Sequence, residues 1–397
     1  MKLQDQPPLH LTYGLSIHPD ETWPELWASI QEKALAVRAR VAPGKAFGLG
    51  LRLRDAVSRE MAEGGNLRRF RQFLDENGLY IFTLNGFPYG RFHGGRVKEQ
   101  VYAPDWRTEA RLDYTRRLAD LLAVLLPDGV AGSISTVPGS FKPWIHGASD
   151  VERITDQLAR AVAHLAGLKE KTGREIHLGL EPEPGCLFET PDELIRFMQE
   201  WMWPRGRVRV ARELGCSLAA AEQKVRLHLG VCLDTCHVAV CFEDPEEALR
   251  QYQAAGLRIS KIQLSAALEA DAVGRAALAR FIEPVYLHQV VADLGGGRLR
   301  SWLDLPEALA ALGSLPEARA VRVHFHIPLH FEGGGGLRST TFALRPSFFR
   351  ALQNGATEHL EIETYSFDAL PGGASRDVVE SVAGEYRWVL QRLVRAN

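Results

Sequence analysis

Asp234 and His237 close an apolar, β-rich run, His228-Leu-Gly-Val-Cys-Leu-Asp-Thr-Cys-His237. A buried parallel strand has no need of a charge, so a carboxylate at its carboxyl end is costly unless a metal or hydrogen-bond donors stabilise it. His237, three residues on, can turn back toward the same point as strand gives way to loop and helix. Carboxylate and imidazole together suit a borderline cation such as zinc or manganese. Cys232 and Cys236 flank Asp234, but two cysteines three residues apart without a second pair read as small apolar side chains that pack, not as ligands.

Other residues of the same chemistry recur at the ends of apolar runs. Glu181 follows Ile176–Leu180, with Glu183 two residues beyond. Gln263 sits near the end of the run from Ile259 to Leu264. His324 and His326 alternate with Phe325 and face one side together. Glu361 and Glu363 share a face of a final extended stretch, and Glu363 is nearer its end. Any one carboxylate at a strand end can simply cap the next helix or pair with an arginine. The set is nearly all oxygen and imidazole, which predicts a metal site.

The elements that must position this set follow from the patterning. Short apolar runs alternate with amphipathic stretches of helical length, the mark of repeated βα units and a parallel sheet. Strands are expected at 9–17, 47–53, 79–84, 130–135, 176–180, 228–234 and 259–264. A helix is expected over about 24–41, and another opens on a capping box of Ser149 with Glu152. Two extended candidates remain, at 321–327 and 359–364, and a barrel has room for one. The last is assigned as strand eight, with about 265–345, including its glycine clusters, as a long insertion between strands 7 and 8. This predicts an α/β fold, a (β/α)₈ TIM barrel, as a single domain over 1–397. An open doubly wound sheet is the alternative, but no Gly-x-Gly-x-x-Gly follows the first strand.

In a barrel the carboxyl ends of all strands converge on one face, so residues distant in sequence share a pocket. The loop after the third strand concentrates Asn85, Tyr89, Arg91, His93 and Lys98 among glycines, as a substrate lid would. Ser140 and Lys142, after the fourth strand, are candidates to hold a phosphate or carboxylate. A net charge of −2 gives no bulk attraction to nucleic acid. No apolar run approaches a membrane span and the amino terminus lacks the apolar core of a secretory signal, so a cytoplasmic location is the expectation. The five cysteines do not form a disulfide framework.

Gly-Val-Cys-Leu-Asp234-Thr-Cys-His237, with Glu181 and Glu363-Thr364, resembles the xylose-isomerase-like TIM-barrel superfamily, which includes sugar isomerases and epimerases and zinc-dependent AP endonucleases. The resemblance implies metal binding by Glu181, Asp234, His237 and Glu363, places His324 and His326 where an Asp-x-His pair supplies ligands, and puts Gln263 where a histidine is usual. The chain departs from the endonucleases in offering Asn85 and Thr136 where they use histidines. A longer resemblance, to the bacterial EboE family of metabolite traffic proteins, is carried by Thr83-Leu-Asn-Gly-Phe-Pro-Tyr-Gly-Arg-Phe-His93, Val97–Trp106 and Ser135–Lys142.

These readings lead to a divalent-metal-dependent isomerase or epimerase using one or two ions (Zn, Mn or Mg) on a small polyol, sugar or hydroxy-carbonyl compound. Glu183, His93 and Lys98 are the candidates to move a proton; Asn85, Tyr89, Arg91, Ser140 and Lys142 are the candidates to bind substrate. A hydrolase on the same ligands, or a noncatalytic metabolite-binding protein, are the alternatives. The EboE resemblance adds partners from a secondary-metabolite synthesis or trafficking gene cluster, and an oligomer is compatible with all of these readings.

Overall fold

The computed structural model describes residues 1–91, 95, 97–365 and 377–396. Its strands, in chain order, are β1 (Lys2–Asp5), β2 (Pro8–Tyr13), β3 (Phe47–Arg52), β4 (Leu79–Asn85), β5 (Gly132–Thr136), β6 (Ile176–Leu180), β7 (Leu229–Asp234) and β8 (Ile259–Leu264). There follow β9 (Leu268–Ala270), β10 (Val290–Asp293), β11 (Leu299–Trp302), β12 (Ala320–Val323), β13 (Leu337–Ser339) and β14 (His359–Ile362). Strands β3, β4, β5, β6, β7, β8 and β14 run in parallel from one edge to β2, and β1 adds an antiparallel edge beside β2. Gly14 and Gly50 then bridge in parallel, and the Thr12 hydroxyl donates to Gly48 O, so the ends of the sheet meet. This is a (β/α)₈ barrel whose eight parallel strands come from β2 to β8 and β14.

The barrel strands are buried on both faces, as their near-continuous apolar runs require. Glycine is needed where β3 passes closest to its neighbours: a Cβ on Gly50 would lie 2.1 Å from Glu361 Oε1. The helix Ala148–Thr172 shows how sequence makes the outer layer: Ile154, Leu158, Ala161, Val162 and Leu165 recur at helical spacing and are buried. It ends at Gly173, in the left-handed region at φ +73°. Its start differs from expectation. Gly147, not Ser149, is the N-cap, and Asp150 instead accepts from His146 N at 2.8 Å, so no Ser149–Glu152 capping box forms.

Between β8 and β14 the chain builds a second sheet, entirely antiparallel, in the order β11-β10-β12-β9-β13. The extended stretch near 321–327 therefore contributes β12 to this insertion, and β14 completes the barrel. The insertion folds back over the barrel mouth: Ile327 N donates to Ala266 O, and Val97 N and Lys98 N both donate to Val285 O. No helix among the described residues is long and apolar enough to cross a membrane.

Candidate metal centre

Asp234 is the last residue of β7 and the N-cap of the short helix Thr235–Val240. Its Oδ1 accepts from Cys236 N (2.7 Å), His237 N (3.0 Å) and the Ser265 hydroxyl (2.7 Å). That anchors one oxygen and leaves Oδ2, buried, without a hydrogen-bond partner among the described residues. Glu181, one residue past β6, and Glu363, one residue past β14, each present an unpartnered buried Oε2 as well. One oxygen from each of the three carboxylates lies within 4.8 Å of the other two. Buried polar atoms without partners are rare, and three acceptors of like charge in one place describe a cradle for a cation.

The electrostatics point the same way. Burial pushes the carboxyls of Glu181 and Glu363 well above their ordinary range, and mutual repulsion among Glu181, Asp234 and Glu363 adds to it. Asp234 goes down instead: burial raises it, but His237 and His326 and the hydrogen bonds on its Oδ1 more than offset that. Asn85 supports the cluster by donating to Glu363 Oε1 at 3.3 Å.

A second convergence stands beside the first. His237 Nε2 is 3.1 Å from His324 Nε2, which is 3.0 Å from His326 Nε2. Each ring directs its Nδ1 at an oxygen: His237 at Pro182 O (3.0 Å), His324 at Gln289 Oε1 (2.6 Å) and His326 at Glu363 O (3.0 Å). A carbonyl oxygen only accepts, so the hydrogen in each of these contacts sits on Nδ1, and the Nε2 atoms of His237 and His326 face that of His324. Nitrogens bound tetrahedrally to one cation at about 2.0–2.1 Å stand roughly 3.3 Å apart, close to the spacing of His324 Nε2 from each of its two neighbours. Burial, then the neighbouring imidazoles, drive His324 well below its ordinary pKa; burial takes His326 to about 4. Asp234 can join His237 and His326, and Glu183 can join His237 and His324, each set again within 4.8 Å. The residues thus fit a divalent cation at the carboxylates and another at the imidazoles.

The pocket above is lined by Asn85, Lys98, Tyr102, Tyr286, His288 and Tyr365, among others. Of the sequence-predicted set, Glu181, Glu183, Asp234, His237, His324, His326 and Glu363 come together, and Asn85 and Lys98 reach the pocket. Lys98, with φ +42°, has its ammonium committed to Asp304 Oδ2 and Tyr286 O, both at 2.6 Å, so it ties the loop to the insertion and is not free as a base. Gln263 is buried beside Asp234 in the sheet, and its Oε1 accepts from the Cys232 thiol at 2.9 Å.

Two predicted anion binders are placed elsewhere. The Ser140 hydroxyl donates to Asp105 at 2.5 Å, and Lys142 pairs with Glu189 and Glu193, so neither serves the pocket. Tyr89 packs edge-on against Tyr114, and Arg91 is exposed; neither lines the pocket. His93 lies outside the described residues. Sequence reasoning missed Tyr102 and Gln289. The Tyr102 hydroxyl donates to Glu183 Oε1 at 2.9 Å, and Gln289 Nε2 donates to the same oxygen at 3.0 Å.

No family model and no curated protein matches the chain. Among solved structures it is similar to the IolI protein with a bound zinc atom (TM-score 0.49, 13% identity, covering 98% of this chain and 99% of that chain). It is similar to an L-ribulose 3-epimerase (0.49, 13%, 98% and 95%). It is also similar to the probable 3-DHS dehydratase AsbF of Bacillus anthracis (0.48, 12%, 96% and 98%).

Proposed function

We propose that the chain is a divalent-metal-dependent isomerase or epimerase of a small sugar, polyol or hydroxy-carbonyl compound. The observation that carries this reading is the paired convergence: three unpartnered carboxylate oxygens at the carboxyl ends of barrel strands, beside the imidazoles of His237, His324 and His326. Glu181, Asp234 and Glu363 would hold one ion, and His324 with a neighbouring imidazole, His237 or His326, a second. Bound there, an ion supplies Lewis acidity toward substrate oxygens.

The chain's own groups supply the rest. Glu183 is the proton-moving group. Burial raises its carboxyl, only partly offset by His237, Tyr102 and Gln289, which brings its affinity for a proton closer to that needed for exchange near neutrality. Tyr102 and Gln289 hold its Oε1 in place, and Asn85 holds Glu363. Tyr102, Tyr286 and Tyr365 line the pocket. The EboE resemblance supports a role in making or trafficking a secondary metabolite in the cytoplasm. One apolar cluster runs from the barrel into the insertion, and it supports reading 1–397 as one unit.

Hydrolysis is the second reading, favoured by the tri-imidazole set, a donor set that suits water activation. Two measurements test both. Elemental analysis of protein purified without chelator is expected to show stoichiometric metal, lost in Asp234→Ala and Glu363→Ala; a metal-free parent would overturn both readings. Incubation of candidate sugars in deuterium oxide is expected to give carbon-bound deuterium. Turnover without such exchange assigns hydrolysis.

A further inference from the structure

Gln289 stands one residue before β10, in the insertion, and is buried. It grips His324 twice: its backbone oxygen accepts from His324 N at 2.9 Å and its side-chain oxygen faces His324 Nδ1 at 2.6 Å. Its amide nitrogen is surrounded by acceptors, the Tyr102 hydroxyl (2.8 Å), Glu183 Oε1 (3.0 Å) and Pro184 O (2.8 Å). Three acceptors around the nitrogen fix which way the amide lies, so the oxygen has to face the imidazole. An amide oxygen cannot donate, and the hydrogen between the two therefore sits on Nδ1. Nε2 is left as a lone pair aimed at His237 and His326.

The three histidines are not fixed by equivalent means. His237 and His326 have their tautomers set by backbone carbonyls, of Pro182 and Glu363, which no substitution of those residues removes. At His324 the oxygen that accepts from Nδ1 belongs to a side chain. The same side chain also orients Glu183, a carboxylate within reach of His237 and His324.

We propose that Gln289 is the positioning residue of the second cation site: it locks His324 in the tautomer that binds, so that the insertion sheet decides whether the second ion is held. This rests on the metal reading proposed above. Gln289→Met removes the acceptor at nearly constant size. Gln289→Glu keeps an acceptor for Nδ1–H while losing the donor to Glu183. In cobalt(II) titrations followed by visible absorption, the parent is expected to take up two ions, the second about 10–100-fold more weakly in Gln289→Met and within about threefold of the parent in Gln289→Glu. The first ion should bind alike in all three, which shows that the variants fold.

The tautomer itself is read without any ion, by proton–nitrogen correlation spectra of ¹⁵N-histidine-labelled protein. His324 is expected as the Nδ1–H form in the parent and Gln289→Glu, and to lose that fixed form in Gln289→Met. Parent-like second-ion affinity together with an unchanged His324 tautomer in Gln289→Met would overturn the inference, as would equal losses in both variants. A parent that binds no cobalt sinks the metal reading, and the tautomer spectra then decide the role of Gln289 alone.

Discussion

The ammonium of Lys261 meets the carboxylate of Glu361 inside the barrel, a fully buried ion pair on adjacent strands β8 and β14. Burial alone would lower the lysine, but Glu361 and the neighbouring acidic groups hold it firmly charged. It is the one buried lysine paired to a barrel carboxylate among the described residues, and its charge opposes the rise of the Glu181 and Glu363 carboxyls.

Removing one member of a buried pair leaves the other charge uncompensated, typically costing about 3–5 kcal/mol. Lys261→Met is therefore expected to destabilise the fold by an amount of that order, and Lys261→Met combined with Glu361→Leu by less than Lys261→Met alone. Chemical denaturation of the two variants checks this; a double variant no more stable than the single one would show that the pair is not the cause.

Glycine positions give a contrast of sign. Gly50→Ala places a methyl against Glu361 Oε1 and Thr12 Cγ2, and Glu361 cannot swing away while Lys261 holds it. A loss of about 1–3 kcal/mol is expected from overpacking. Gly167→Ala, within the helix Ala148–Thr172 and with open space around its added carbon, should instead gain roughly 0.5–1 kcal/mol. Melting curves of the two side by side provide the test.

Glu385, on the helix Val378–Ala396, accepts from Leu329 N (3.0 Å) and from the Thr364 hydroxyl (2.5 Å), joining that helix to the insertion and to the residue after Glu363. Burial pushes its carboxyl up to about 7, with those two donors opposing the rise. The folded state then binds the proton more tightly than the unfolded chain, so this contribution to stability is full below the ordinary value of 4.5 and declines as pH climbs to about 7. Relative to the parent, Glu385→Gln should be more stable at pH 8 than at pH 5, by about 2–3 kcal/mol. An equal difference at both pH values would rule out a buried, proton-binding Glu385.

A ligand that binds only the folded chain stabilises it by mass action, about 2.7 kcal/mol at one hundred times its dissociation constant. Zinc or manganese should accordingly raise the melting temperature by several degrees, and a chelator should reverse it. Asp234→Asn should abolish most of the shift, since Oδ2 is the oxygen left for the ion.

Much of the barrel was legible because buried parallel strands are apolar throughout and end abruptly: β6 and β8 fall where Ile176–Leu180 and Ile259–Leu264 predicted them. The buried carboxylate cluster was legible for the same reason, since Glu181, Asp234 and Glu363 are charges at the ends of such runs. β1 was not, because Lys2-Leu-Gln-Asp5 shows no alternation and forms by pairing with β2. Ser140 and Lys142 misled because their partners, Asp105, Glu189 and Glu193, lie in other segments of the chain, two in loops and one on the helix Pro191–Phe197. Gln289 was invisible for a related reason: an uncharged amide in an irregular stretch gains its importance only when folding sets Tyr102, Glu183 and His324 around it.

Where β2 and β3 come together, a single bridge between Gly14 and Gly50 does what four or more paired positions do between β5 and β6. Breathing of the barrel should start along that line, since strands sharing few backbone hydrogen bonds separate at the lowest free energy. The two glycines that let the strands approach would then also act as the latch, and the wall that carries Asp234, on the far side of the barrel, would be the last to open.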